Sequence, residues 1–335
     1  MSTHSFTYAG GTVEPGTVQH TTLAVSETFV GGDVEIPITV VNGEELGPVL
    51  FCSAAVHGDE LNGVKVVHDL VDRYGPADLA GTLVCLHVVN VPAYLAQQRY
   101  LPLYDQDLNR SFPGKERSTP AHRIANAVYS GVLTHCDYGI DLHTSTRGRT
   151  TTFHVRGQVA QHDEVARLAD AFGANLVLAG VGEEENSLRT ASTARGTPVI
   201  TVEMGEAHRF QERYIERALA GIESVMTDLG MYDGERVERE WGVVADASQK
   251  TWVRSDEGGL VELHVGVGDV VDGGDSICTV HDHFATEEHE VTAPFRGVVA
   301  GLLQNPIAQP GHPVCHLVSV DEETAETIRR TDESS

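Results

Sequence analysis

The chain is poor in lysine, with three (Lys65, Lys115 and Lys250) among 335 residues against twenty arginines. Basic residues of both kinds number 23 and acidic residues 49, a formal net charge of −26. So negative a chain repels phosphate, which excludes nucleic acid or an anionic membrane as a partner for a basic face. No run approaches the ~20 consecutive apolar residues of a membrane span, and no basic patch followed by an apolar stretch marks a leader. These absences predict a cytoplasmic protein with no membrane partner. Cysteine is scarce as well. Cys52, Cys85, Cys136, Cys278 and Cys315 form no CxxC pair, and two lie inside apolar runs, so they read as buried thiols in a reducing compartment.

Charge of one sign destabilises a compact chain by self-repulsion unless salt screens it. The balance therefore suggests a halophilic, salt-rich cytoplasm, with a merely acidic soluble protein as the alternative. Hydrophobic residues at 41% and charged residues at 21% are an ordinary globular mixture that argues against disorder. The length suits one large core, or a large domain with a small one.

Three regions differ in texture. Residues 1 to about 45 alternate short apolar and polar groups around Gly10-Gly11 and Gly31-Gly32, predicting an N-terminal extension of antiparallel strands. From there to about 240, strand-like runs (Pro48–Val56, Thr82–Val89, Tyr138–Leu142, Thr151–Val155, Leu176–Leu178, Pro198–Val202) alternate with helical periods. Val64, Val67 and Val71 share a face, as do Ile124, Val128 and Val132 behind a cap at Ser118 or Thr119 with Pro120 in the first turn, and Ile215, Leu219, Ile222 and Met226. Alternating strands and amphipathic helices predict an α/β fold with a mixed or parallel sheet flanked by helices. Residues 241–320 are rich in Gly and Val with period-two strands and predict a small all-β domain. Residues 321–335 read as an acidic tail with at most a frayed helix.

Three of the strand-like runs end in reactive side chains: Val49–Val56 into His57-Gly58-Asp59-Glu60, Tyr138–Leu142 into His143, and Pro198–Val202 into Glu203. In an open α/β sheet ligands bind outside the carboxyl ends of the strands, so parallel strands would bring all four together. Two imidazoles and a carboxylate form a catalytic zinc set that leaves a fourth position for water. An HxxE spacing alone is a weak signal. One at a strand end, with DLH and VE at later strand ends, is far more specific.

The succession AAVHGDELNG, DLNRSFPG, DLHTST and TVEMGE resembles the succinylglutamate desuccinylase/aspartoacylase family, a branch of the zinc carboxypeptidase-like fold. The resemblance spans roughly residues 45–230. It implies one zinc ion per subunit held by His57, Glu60 and His143, and a general base in Glu203. It implies that Asn109 and Arg110 grip a substrate carboxylate, with Arg189 as a further substrate contact. Asp107 matches the carboxylate that orients a ligand histidine, and Asp141 either supports a ligand or caps its turn. Arg99 is the candidate for stabilising the oxyanion, although it lies farther from Asn109 than the family pattern suggests.

Within the β-rich region, VELHVGVGDVVDGGDSICTV and HEVTAPFRGVV are similar to the barrel-sandwich halves of biotinyl and lipoyl carrier domains. No lysine follows Lys250, so such a cofactor has no attachment point. His281, His283 and His289 are close in sequence and read as a solvated hairpin rather than a metal site. The expected activity is hydrolysis of the amide of a small N-acyl amino acid or related N-acyl compound. A metallocarboxypeptidase acting on peptide C-termini and a non-catalytic metal-binding scaffold are the alternatives, and a homo-oligomer stays open.

Overall fold

The computed structural model describes residues 4–332 except 29, 104, 181–185 and 240. A hairpin of β1 (Phe6–Tyr8) and β2 (Gly11–Val13) precedes β3 (Thr17–Glu27), β4 (Asp33–Asn42) and β5 (Glu45–Ala54). Then come α1 (Asn62–Arg73), β6 (Ala80–Leu86), α2 (Val91–Leu95) and α3 (Pro120–Gly131). The middle of the chain gives β7 (Tyr138–Ser145), β8 (Arg149–Gly157), α4 (Asp163–Phe172), β9 (Leu176–Ala179), α5 (Leu188–Thr193), β10 (Val199–Glu206) and α6 (Glu212–Asp228). After it follow β11 (Val243–Ala245), β12 (Lys250–Arg254), β13 (Gly259–Leu263), β14 (Val270–Val271) and β15 (Ser276–His281). The remainder is β16 (Glu288–Thr292), β17 (Gly297–Leu303), β18 (Ile307–Ala308), β19 (Pro313–Ser319) and α7 (Glu322–Asp332).

Thirteen strands form one mixed sheet, in the order β12-β19-β17-β8-β10-β7-β5-β6-β4-β3, with β9, β11 and β14 joined at its side. At its centre β10, β7, β5 and β6 run parallel, so their C-terminal ends share one edge. Helices cover both faces, as the alternation of periods predicts. On one face α1, α4 and α6 pack through Val66, Leu70, Leu168, Ile215, Leu219 and Ile222. On the other, α3 and the N-terminal strands close over Phe51, Ile124 and Val128. Burying each such side chain contributes on the order of 1.5–3 kcal/mol. No helix among the described residues is long and apolar enough to cross a membrane.

The main sheet runs through both places where the texture of the sequence changes. β4 pairs with β6 through Val40↔Val84, which makes the N-terminal strands its outer edge. β17 pairs with β8 through Gly301↔Thr151, which stitches the C-terminal strands to the middle of the chain. A separate antiparallel sheet, β16-β15-β13-β18, lies in the C-terminal part. The acidic tail departs from expectation. Its residues form α7, whose Ala325 and Ile328 lie one turn apart and bury against Val298, Ala300, Val318 and Val320. Arg296 pairs with Glu322 at the start of this helix. Two apolar residues suffice to seat a helix that is charged elsewhere, because i,i+3 spacing places them on one face.

Candidate metal centre

The metal-binding candidates assemble at the shared C-terminal edge. β5 ends at Ala54, and Ala55 (φ +51) turns the chain in a conformation that non-glycine residues rarely adopt. The HGDELNG segment follows, and both of its glycines have steric reasons. A Cβ on Gly58 would meet the Ala93 backbone of α2 at 2.1 Å, and one on Gly63 would meet Leu142 Cβ at 2.7 Å. The first glycine lets α2 lie against the ligand loop, and the second lets α1 pack under the strand that carries His143. Asn62, fully buried, donates to the Met204 carbonyl at 3.0 Å, tying this loop to β10.

His57, Glu60 and His143 are all buried, and their ligand-capable atoms lie within 4.8 Å of one another; among the described residues no other His, Cys, Asp or Glu group does this. His57 Nε2 donates to Asp107 Oδ1 at 3.2 Å, and His143 Nε2 donates to Asp141 Oδ2 at 2.8 Å. Each carboxylate thereby sets its histidine's tautomer and leaves Nδ1 facing inward. Those two Nδ1 atoms sit 2.8 Å from Glu60 Oε1 and Oε2 respectively. The His57 Nδ1 contact lacks hydrogen-bond geometry, so this buried atom has no hydrogen-bond partner. An inward-aimed imidazole nitrogen with no donor or acceptor to meet, beside a carboxylate with both oxygens turned in, fits a divalent cation.

The electrostatics agree. Burial raises the Glu60 carboxyl, but His57, His143 and Arg99 outweigh it and hold it well below the usual range. Burial alone would lower His143, yet Asp141 and Glu60 hold it well above the ordinary imidazole value. A field that draws a proton so strongly draws a dication as well. Asp141 is fully buried and receives a second bond, from Ser53 Oγ at 2.7 Å, so both of its oxygens are held in place beside His143.

The remaining candidates surround this cluster. Glu203 is the register neighbour of His143 across the parallel β7–β10 pair. Arg99 Nη1 donates to Glu60 Oε1 at 2.5 Å, which places it at the ligand cluster despite its distance from Asn109 in sequence. Asp107 accepts from the Asn109 amide at 2.8 Å, and Asn109 Oδ1 accepts from Leu188 N at 2.9 Å. Asn109 thus braces the Asp107–Arg110 turn against α5. Arg110 is exposed and donates to the Asn109 carbonyl at 2.9 Å. Arg189 is buried, with Nε donating to Thr201 Oγ1 at 3.2 Å, two residues before Glu203 on β10. In the C-terminal part, His281 faces Glu262 and Glu288 while His289 faces Glu287, and the three histidines do not converge.

Two neighbours of Glu203 escaped the sequence reading. Arg156 Nε lies 3.3 Å from Glu203 Oε1 and 3.3 Å from His154 Nε2. His154 is buried, and its Nδ1 donates to the Thr152 carbonyl at 2.9 Å, which leaves Nε2 as the acceptor for Arg156. Burial and Arg156 push this imidazole well below its ordinary value, so it stays neutral. Only the antiparallel β8–β10 pairing, with His154 opposite Glu203, brings them together.

Comparison with known proteins identifies the family. Residues 46–229 match the model of the succinylglutamate desuccinylase/aspartoacylase catalytic domain. The N-alpha-acetyl-L-2,4-diaminobutyric acid deacetylase of Halomonas elongata is 30% identical over 260 residues, 75% of each chain. A succinylglutamate desuccinylase of Pseudomonas aeruginosa is 27% identical over 209 residues, 56% of this chain and 60% of that one. Among solved structures, a succinylglutamate desuccinylase from Silicibacter sp. TM1040 superposes with a TM-score of 0.79 at 26% identity, covering 90% of this chain and 95% of that one. The product-bound ectoine utilization protein EutE (DoeB) of Ruegeria pomeroyi shares the fold, with a TM-score of 0.80 at 24% identity over 91% and 95% of the two chains. With the family model spanning more than half of its length, this chain belongs to the succinylglutamate desuccinylase/aspartoacylase family.

Proposed function

We propose that this protein is a zinc-dependent deacylase that hydrolyses the amide bond of a small N-acyl amino acid or related N-acyl compound. The observation that carries the reading is the gathering of His57, Glu60 and His143, whose ligand-capable atoms lie within 4.8 Å of one another, with each Glu60 oxygen beside an imidazole Nδ1 and Glu203 on the adjoining strand. A zinc ion held by these residues supplies Lewis acidity to the scissile carbonyl and acidity to a water.

The protein's own groups do the rest. Glu203 takes the proton of the attacking water and delivers it to the departing amine. Arg99, with 24% of its side chain exposed, offers its guanidinium to the developing oxyanion. Arg110, together with Asn109 and Arg189, anchors the carboxylate of the amino acid, for which the fork of a guanidinium is suited. Asp107 and Asp141 keep both imidazoles in the tautomer that presents Nδ1. The names of the relatives, deacetylase and desuccinylase, agree with acyl-amide hydrolysis.

The test is a panel of N-acetyl and N-succinyl amino acids, with dipeptides as controls, on zinc-reconstituted protein. N-acyl amino acids should be cleaved and dipeptides should not; the reverse would favour a carboxypeptidase, and no cleavage at all would leave a scaffold. Glu203→Gln should retain its zinc and lose roughly 10²- to 10⁴-fold in kcat. Wild-type turnover by that variant would remove Glu203 from the base role.

A further inference from the structure

Glu203 stands in the middle of a row of side chains that crosses the sheet. β10 lies between β7 and β8, and the register sets His143 opposite Glu203 on one side and His154 opposite it on the other. Adjacent strands are roughly 5 Å apart, so this carboxylate has the metal cluster on one flank and a buried, neutral imidazole on the other. Both pairings slip just past this point, between Glu203 and Glu206 on the β7 side and between Glu203 and Gly205 on the β8 side. A bulge beside a reactive residue re-aims its side chain and interrupts the ladder that would otherwise brace it. The orientation of the Glu203 carboxylate is therefore left to its side-chain neighbours.

Arg156 is placed to hold it. Its register partner is Thr201, which shares a face of β10 with Glu203, and a side chain as long as arginine reaches the diagonal neighbour on the next strand. Its Nε is 3.3 Å from Glu203 Oε1 and 3.3 Å from His154 Nε2. The imidazole is a fixed support, because it is buried and its Nδ1 donates to the Thr152 carbonyl at 2.9 Å. Arg156 and Glu203 keep 27% and 18% of their side chains exposed, so the pair is largely shielded from water. The guanidinium meets Glu203 from β8, the side away from His143, whereas Arg99 pairs with the ligand Glu60. That separates its part from the one assigned to Arg99.

We propose that Arg156 is a positioning residue for Glu203: seated against His154, its guanidinium limits the carboxylate to the one orientation in which it serves as the base, without itself touching substrate. The inference rests on the deacylase reading for the role of Glu203. A catalytic group has to be held to within about 0.5 Å of its working place, and a glutamate side chain at a bulge is not held so closely by its backbone. Arg156 and His154 supply the missing restraint from the neighbouring strand.

Arg156→Met keeps the aliphatic stem and removes the guanidinium. In zinc-loaded protein acting on whichever N-acyl amino acid it cleaves fastest, kcat should fall roughly 10- to 100-fold, the range for a charged hydrogen-bonding pair, with KM and zinc content unchanged. Arg156→Lys, which keeps the charge without the fork, should lie between the parent and the methionine variant, and it carries the test should Arg156→Met fold poorly. In a Glu203→Gln background the same change should cost no more than about twofold, because the carboxylate it positions is gone. Metal-free protein gives a readout that does not depend on turnover. In urea melts the double variant should lose less stability than the sum of the two single losses. A kcat within about twofold of the parent, a loss traced to KM or to zinc content, or additive losses in either cycle overturns the positioning role while the deacylase reading stands. No hydrolysis of any N-acyl amino acid by the parent protein overturns the deacylase reading and the positioning role with it.

Discussion

Asp141 offers the sharpest test of how the metal cluster is held. It has no exposed surface, and it accepts from His143 Nε2 at 2.8 Å and from Ser53 Oγ at 2.7 Å. Asp141→Ala strands both donors in the core and frees the His143 ring to rotate. A carboxylate that orients a ligand histidine is typically worth 10- to 100-fold in metal affinity, about 1.4–2.7 kcal/mol. Each stranded donor costs about 1–3 kcal/mol of folding stability besides. Asp141→Asn keeps an acceptor for His143 while its amide nitrogen donates to a rotated Ser53 hydroxyl, so stability should nearly recover. Its zinc affinity should not, because the negative charge that raises the basicity of His143 is gone. The assay is zinc content across a series of metal-buffered solutions, paired with thermal melts in excess zinc. An Asp141→Ala protein that binds zinc within twofold of the parent would refute the assignment of Asp141 as the support of a ligand.

Two further expectations concern pH and salt. His316 is buried, and burial first, then Arg156 and Lys250, bring its imidazole down to about 3. A folded value below the unfolded one means that the unfolded chain binds the extra proton. This stabilisation is complete above the unfolded value near 6.5 and is lost as pH falls from there toward 3. His316 contributes a slope approaching about 1.4 kcal/mol per pH unit, and His316→Gln should remove that share in urea melts between pH 6.5 and 4, leaving the share of the likewise buried His154. With a net charge of −26, the melting temperature should climb from low to multimolar KCl. A flat profile in KCl would discard the salt-adapted reading in favour of an ordinary acidic protein.

The strands, the helices and the reactive strand ends were legible from local order in the chain. Period-two and period-3.6 patterns report which face of an element is buried, and HxxE, DLH and VE place their side chains at the ends of strands whatever the rest of the fold does. Even the HGDELNG glycines could be flagged, though their reasons, the backbone of Ala93 and the Cβ of Leu142, lie far away in sequence. Other features depend on which strands become neighbours. Arg156 and His154 reach Glu203 from 47 and 49 positions away through an antiparallel pairing whose register shifts just past Glu203. No periodicity encodes such a register, because it is set by hydrogen bonds between strands and by what each face buries. The same holds for the meeting of Ser53 with Asp141, for the joining of β17 to β8, and for the seating of α7 by two apolar residues. The identities of the reactive groups are local properties of the chain, whereas their orientation, their neutral or charged state and the walls around them arise when distant segments exclude water from one another.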